Sequence, residues 1–439
     1  MFKLLNIKAQ KALAKQPQLL LGLYAGLIAF CTYSCMYAFR KPFTAASFSD
    51  VQSGVVQYKV WLVTAQVVGY MLSKFYGIKF IAELKQAGRG KTIIALISVS
   101  WIALFLFAIA PIWAKPICLL INGFPLGMVW GIVFSFIEGR RMTEMMGAVL
   151  ASSFIFASGF VKTIGKWLMV DIGITEFWMP FFTGSIFFLP MILFVGLLSF
   201  IPPPSPEDIE LRAGRKPMSG AERKSFLRQF GVGLVTVVLA YIFITIMRDM
   251  RDNFMNEIFI ELGMGNKASV FTKTETTVSL IVLGSTALLI WVKHNFRAFM
   301  FNHAMIIVGL AITFISTVLF QRQMISPIVW MTSIGTGLYL SYVPFNCIFF
   351  ERMIASYRVA GNVGFVMYLA DSFGYLGSLL VLFLKEFSGL QLSWLSFFTQ
   401  VALVCSGVGM MLMVLGLFYF KKKYEGRTAY QPVPSISVV

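Results

Sequence analysis

Apolar residues run along this 439-residue chain in blocks of about twenty, broken by short polar connections. About 20 apolar residues in a helix span the ~30 Å hydrocarbon core of a bilayer. Twelve such blocks can be marked, at roughly 18–39, 57–80, 92–112, 116–137, 145–169, 177–200, 229–250, 270–292, 302–320, 325–349, 358–384 and 393–420. The second, fifth, seventh and eleventh are less apolar than the others. The pattern predicts an all-α polytopic protein with twelve transmembrane helices. The longest polar break, 201–228, opens on Pro202-Pro203-Pro204-Ser205-Pro206, which stops the sixth helix. Within it, Ser205 and Ser219 each resemble a helix N-cap, with Asp208 and Glu222 three residues on. The break divides the chain into a basic tail (1–17), a six-helix half (18–200), a linker (201–228), a second six-helix half (229–420) and a closing tail (421–439).

Composition agrees with this pattern. Hydrophobic residues make up 58% of the chain and charged residues 13%, about half the charged share of soluble domains. So little charge cannot coat two or three soluble domains, which excludes a soluble enzyme and a disordered scaffold. The net charge of +18 would suggest nucleic acid in a soluble chain. Here it has another source, because the inner loops of membrane proteins carry excess Lys and Arg. Basic residues collect in the N-tail (Lys3, Lys8, Lys11, Lys15), after the second span (Lys79, Lys85, Arg89, Lys91) and after the fourth (Arg140, Arg141). They continue in the central break, after the eighth and tenth spans, and in the C-tail at Lys421, Lys422, Lys423 and Arg427. This places both termini in the cytoplasm, with no cleavable leader and no nucleic-acid partner. The five cysteines lie in apolar runs without C-x-x-C, so no disulfide framework is expected. His294 and His303 flank one short loop and make no metal site. No cofactor is expected.

The two halves carry a weak internal repeat. Phe136-Ile137-Glu138-Gly139-Arg140 ends the fourth span and Phe349-Phe350-Glu351-Arg352 the tenth, 213 residues later. Arg40 ends the first span and Arg248 lies late in the seventh, 208 residues later. Similar offsets at equivalent spans suggest a parallel repeat about an axis along the membrane normal, with a solute site between the halves.

Charges inside spans are costly and persist where they are paired, face water or reach the interface. Arg40 and Lys41 close the first span, whose helix is expected to continue to about Ala46 with a kink at Pro42. Lys74 lies in the second span, within reach of the inner interface. Lys162 and Lys166 are one turn apart in the fifth. Arg248 is the deepest charge of Arg248-Asp249-Met250-Arg251-Asp252 and can pair with Asp252 one turn on. Asp371 is the most deeply placed acid, either a proton or ion relay or the partner of a neighbouring cation. Glu138 and Glu351, at inner helix ends beside Arg140, Arg141 and Arg352, suit salt-bridge latches that gate the halves. Cations in spans outnumber deep acids, so the expected solute is a small anion. Arg40, Lys41, Lys74, Lys162 and Arg248 are the candidate binding residues.

These residues resemble the organophosphate:phosphate antiporters of the major facilitator superfamily. Tyr37-x-x-Arg40-Lys41-x-Phe43 is similar to their first-helix motif, and Ser73-Lys74-Phe75 to their second. Arg248 falls where they carry a seventh-helix arginine. Gly123-x-x-x-Gly127-Met128-x-Trp130 is similar to their fourth-helix pattern. The resemblance implies that Arg40 and Arg248 clamp a phosphate on the pseudo-symmetry axis with help from Lys74. It also implies exchange against inorganic phosphate by alternating access, in a bacterial inner membrane, by a monomer. Taken whole, the sequence also looks like an uncharacterised bacterial family of such transporter-like proteins. It departs from the antiporters in two places. The fifth span has no histidine near Ser153–Ser158, and in the loop after the second span Gly77 is followed by Glu83, two positions late. A transport-inactive membrane sensor that binds an anionic metabolite is therefore the competing reading. An enzyme is not, since Lys85 stands where a phosphate-binding loop ending in Gly90-Lys91-Thr92 needs its first glycine.

Overall fold

In the computed structural model, residues 2–51, 56–83, 88–138, 140, 142–205, 207–208, 220–265, 267–288, 292, 294–357, 363–387 and 392–428 are described. Fourteen α-helices fill these stretches. The first, α1 (Phe2–Ala14), lies in the N-tail, and Gln10 donates to the Ser199 carbonyl at 3.0 Å. Six long helices follow: α2 (Gln18–Tyr37), α3 (Tyr58–Glu83), α4 (Arg89–Ile109), α5 (Lys115–Ile137), α6 (Thr143–Val170) and α7 (Met179–Leu198). The second set is α8 (Gly220–Glu261), α9 (Ser269–Ala287), α10 (Asn295–Gln321), α11 (Pro327–Pro344), α13 (Val363–Phe387) and α14 (Trp394–Thr428). Between α11 and α13, a π-helical turn at Phe345–Phe349 leads into the short α12 (Phe350–Tyr357).

Packing repeats between the sets. In the first, α2 touches α5, α6 and α7, while α4 touches α5 and α7, and α3 lies along α5. In the second, α8 touches α11, α13 and α14, while α10 touches α11 and α14, and α9 lies along α11. The halves meet at α6 against α9 and α3 against α13, two contacts that the same correspondence exchanges. This is the pseudo-symmetric twelve-helix bundle that the apolar blocks predict.

Small residues set the closest approaches. A Cβ on Gly123 would lie 2.3 Å from the Gln66 carbonyl oxygen, and one on Gly127 would lie 2.6 Å from Ser73 Oγ. The Gly123-x-x-x-Gly127 pattern is thus the seat of α3 on α5. In the second half, Gly337 comes within 2.4 Å of the Gly309 carbonyl oxygen on the same test, between the equivalent α10 and α11.

One expectation about the elements is corrected. Among the described residues, eight helices are long and apolar enough to cross a membrane by length and composition. The second and eleventh spans, α3 and α13, fall short, as do α9 and α11, and the fifth has the lowest mean hydropathy of the eight, 1.5, but the seventh is not among the less apolar. The best window of α8 has a mean hydropathy of 2.4. The polar residues of α8 lie outside that window, because the helix runs 42 residues, about 63 Å at 1.5 Å per residue. It starts at Gly220, inside the polar break, and passes Arg248 to reach Glu261, with a kink at Phe254 (φ −114°, ψ 17°). Earlier in that break, Ser205 and Asp208 bond reciprocally at 3.0 and 3.1 Å, as the capping pattern predicts. Ser219 lies outside the described residues.

Candidate functional site

The first span ends in an opened backbone. Its helix stops at Tyr37, and a turn at 38–40 leads into a 3-10 turn at Pro42–Ala45 rather than a kinked helix reaching Ala46. Carbonyls released at a helix end need partners when buried. Asn122 of α5 donates to Phe39 O at 3.0 Å, and Gln66 of α3 donates to Arg40 O at 2.9 Å. Gln66 also donates to Asn122 Oδ1 at 2.8 Å, so one amide pair holds the opened turn. The α3–α5 glycine contact brings those amides together.

That turn aims Arg40 at the centre of the bundle. Its guanidinium lies 3.8 Å from the ring centroid of Tyr70 and 6.0 Å from that of Tyr37. Arg248, from the equivalent helix of the second half, lies 4.2 Å from the ring centroid of Tyr342 and 5.7 Å from that of Tyr375. Tyr70 and Tyr375 meet edge to face with centroids 5.6 Å apart. Each arginine therefore sits on tyrosines of its own half, and the two tyrosine sets touch across the interface. Tyr33, against Trp130 at 5.1 Å, and Tyr241, against Tyr342 at 5.6 Å, extend the box.

The ion pairs differ from those expected. Arg248 binds the adjacent Asp249 at 2.5 Å, not Asp252, and Ser378 Oγ donates to the other Asp249 oxygen at 3.0 Å. Asp252 faces the first half, where it takes Lys41 at 2.5 Å and Lys162 at 2.6 Å and accepts from Ser158. Lys74 does not reach for the interface but pairs with Asp371 at 3.1 Å, from α3 across to α13. Tyr241 donates to the second Asp371 oxygen. Beyond Asp252, Asn256 accepts from Lys166 at 3.3 Å and Glu257 pairs with Lys59 at 2.6 Å. Arg251 pairs with Glu275 at 2.7 Å inside the second half. Asp371 is thus one of several buried acids, since Asp249, Asp252, Glu257 and Glu275 are also largely enclosed. The reason is the length of α8, which carries residues 249–257 between the halves rather than out at a helix end.

Arg40 stands out among the arginines of this cluster, since Arg248 and Arg251 each hold a carboxylate. No carboxylate pairs with it among the described residues, and its Nε is buried without a hydrogen-bond partner.

The expected gating acids lie at the opposite end of the bundle from Glu257. Glu138 caps the C-terminus of α5, within electrostatic reach of Arg89, which donates to Ser135 O at 2.9 Å. Glu351 opens α12, and the adjacent Arg352 donates to Asn295 at 2.7 Å. Arg140 donates to the Pro202 carbonyl. Burial lowers the pKa of Arg140, and the nearby charge of Asp208 offsets part of that. Arg141 lies outside the described residues. The histidines do not flank a loop. His294 caps α10, and His303 is buried within it against the Phe299 carbonyl at 3.0 Å. Cys31, Cys35, Cys118 and Cys405 are free.

The charges between the halves are unequal in number. Eight cations (Arg40, Lys41, Lys59, Lys74, Lys162, Lys166, Arg248 and Arg251) face five carboxylates, and the two central arginines present planar guanidiniums that fork onto phosphate or carboxylate. Arg40, Lys41, Lys74, Lys162, Arg248 and Asp371 are legible in the sequence as candidates, while Lys59, Glu257 and Glu275 read there as ordinary charges near span ends. The tyrosines and the Gln66–Asn122 pair are not legible, because rings and amides inside spans look the same whether they pack or bind.

Comparison with known proteins agrees with the architecture. Residues 42–423 match a family of unknown function, DUF5690, and the chain belongs to that family. No curated protein sequence matches it. Among solved structures, a D-xylose–proton symporter superposes with a TM-score of 0.59 at 14% identity, covering 91% of this chain and 96% of that one. The nucleoside transporter NupG gives 0.58 at 14% identity, over 91% of this chain and 99% of that one. The human organic anion transporter MFSD10 gives 0.52 at 14% identity, over 92% of this chain and 100% of that one. At these identities the likeness is one of fold. The chain has the major facilitator fold, that of multi-pass membrane transporters.

Proposed function

We propose that this protein is a secondary transporter that binds a small organic anion between its two six-helix halves, 18–200 and 229–420, and carries it by alternating access. Arg40 carries the proposal, because it is a buried guanidinium with no carboxylate partner among the described residues. A buried unpaired charge is expensive, and an anion bound there repays the cost. Arg248, on the equivalent helix, supplies the second arm of the clamp. A ligand between them would draw the halves together by pairing with Arg40 and by sharing Arg248 with Asp249.

The anion class we favour is phosphorylated, with exchange against inorganic phosphate as one mode of operation. The resemblance of Arg40, Lys74 and Arg248 to the organophosphate antiporters supports this reading, as does the forked geometry of two arginines. Lys41 and Lys162, held on Asp252, would then close the Glu257 end rather than touch solute. The basic connections favour cytoplasmic termini, with the Glu257 end outside.

The test is counterflow of labelled phosphate in proteoliposomes with wild type, Arg40→Gln and Arg248→Ala. Counterflow in wild type, lost in both variants while their thermal unfolding stays near wild type, supports the clamp. Absence of counterflow in folded wild type removes phosphate and turns the search to other anions or to a sensor, through ligand-induced thermal stabilisation.

A further inference from the structure

Asp371 stands apart from the other carboxylates in where it sits and what holds it. Its Oδ2 is 3.1 Å from Lys74 Nζ on α3, in the opposite half, and its Oδ1 accepts from Tyr241 on α8, in its own half. The groups facing it are Lys74 and Tyr70 from α3, Tyr241 from α8 and Tyr342 from α11, with Arg248 over the Tyr342 ring and Tyr375, one turn along its own helix, against Tyr70. Arg248 is engaged by Asp249 and Tyr70 covers Arg40, which leaves Lys74 as the cation paired directly with Asp371.

Any rocking that parts α3 from α13 breaks that pair and strands a carboxylate in the middle of the bundle. Asp252 and Glu257 would also lose partners when the halves part, since Lys41, Lys162 and Lys59 all belong to the first half. They lie toward the end that would open, where water solvates them. Asp249 keeps Arg248 and Ser378, which move with it. Among the described residues, Tyr241 is the hydrogen-bond partner that remains with Asp371.

We infer that Asp371 is a proton-binding coupling site: an incoming anion takes Lys74 from it, and the released carboxylate takes a proton, so anion and proton move together. The proton comes from water on the loading side and forms an O–H bond at Oδ2, the oxygen Lys74 leaves, while Tyr241 still donates to Oδ1. On the release side the anion departs, Lys74 returns, and the proton passes to water. One negative charge and one proton enter together, so the charge of the site is the same loaded and empty. The Lys74–Asp371 bridge re-forms as the emptied carrier closes, which lets it reset, and net uptake becomes possible beside exchange. This inference rests on the anion-transport reading above.

The experiment has a ligand-free arm and a transport arm. Infrared difference spectra of reconstituted Lys74→Gln, in which Asp371 has lost its cation without any ligand, should show between pH 8 and pH 5 a protonated-carboxyl band that persists when Asp249→Asn is added and disappears when Asp371→Asn is added. No such band, or one that survives Asp371→Asn, overturns the proton site without any assumption about solute. In proteoliposomes, an inside-alkaline pH gradient should drive labelled phosphate uptake at least tenfold above the gradient-free level in wild type, and an internal pH dye should report proton entry with it. Counterflow without gradient-driven uptake or proton entry overturns the coupling and leaves anion transport standing. Proton binding without counterflow overturns phosphate as the solute and leaves the proton site standing. Should Asp371→Asn fail to fold, the wild-type dye signal decides the coupling.

Discussion

The rings of Tyr70 and Tyr375 meet edge to face across the two halves, with centroids 5.6 Å apart, and each has the arginine of its own half beside it. Arg40, Tyr70, Tyr375 and Arg248 thus form one continuous contact from the first half to the second. A cation over an aromatic face gains about 2 kcal/mol when both are desolvated. Replacing Tyr70 by Leu removes that support from Arg40, which has no acid to fall back on. The expected outcome is a rise in KM of about 30-fold, the equivalent of that 2 kcal/mol, while Tyr70→Phe, which keeps the ring, stays within a few-fold of wild type. Concentration-dependent counterflow checks the pair, and equal effects in Leu and Phe would point to the hydroxyl instead.

Asn122 tests how Arg40 is aimed. Its amide donates to Phe39 O and Ser100 O and accepts from Gln66, all inside the protein. Each buried group left without a partner costs about 1–3 kcal/mol. Asn122→Leu should therefore lower the melting temperature by several degrees in detergent and also weaken anion binding, because the opened turn 38–40 loses one of its two side-chain braces. Thermal unfolding with and without phosphate separates the effects. A variant that is destabilised yet fully stabilised by phosphate would show that the brace does not position Arg40.

The glycines make a sharper contrast. Gly123→Ala places a methyl 2.3 Å from a backbone carbonyl and should push α3 off α5, reducing the amount of folded protein sharply. Gly196→Ala meets nothing within 4 Å and should be neutral or stabilising by up to about 1 kcal/mol, from helix propensity. Size-exclusion profiles of the two variants, expressed in parallel, give the answer.

These expectations show where sequence reading succeeds and stops. The bundle is legible because span length and apolarity are local properties, and the Gly123-x-x-x-Gly127 spacing marks a close approach without naming its partner. The ion pairs are not legible. Arg248 with Asp252 is a sound reading of a lone helix, but Asp252 is drawn away by Lys41 and Lys162 from the other half. Lys74 looks like a residue reaching for the interface until Asp371, 297 residues away, is beside it. Gln66 and Asn122 carry no charge to draw notice, and their role exists only because α2 opens its backbone beside them.

Asp252 gives the last prediction. Among the described residues it is the acid that pairs with both Lys41 and Lys162, and its carboxylate, held by those two lysines and Ser158, ties α8 to the first half near Phe254, where α8 kinks. Replacing it with Asn leaves two buried ammonium groups facing each other with no charge to balance them. Removing one partner of a buried ion pair costs about 3–5 kcal/mol. Here the penalty falls mainly on the arrangement in which the Glu257 end is closed, because opening that end lets water reach both lysines. Asp252→Asn should therefore shift the population toward the open form by up to a few hundred-fold, and the added repulsion should rise at low salt. Thiol labelling of Asn253→Cys reads this directly, since Asn253 is buried against Lys41, to which it bonds at 2.8 Å. A membrane-impermeant maleimide should react faster with that cysteine in the Asp252→Asn background than in its parent. Equal rates in the two backgrounds would mean that the closed end is held by the Lys59–Glu257 pair and by packing, with Asp252 a passive counter-ion.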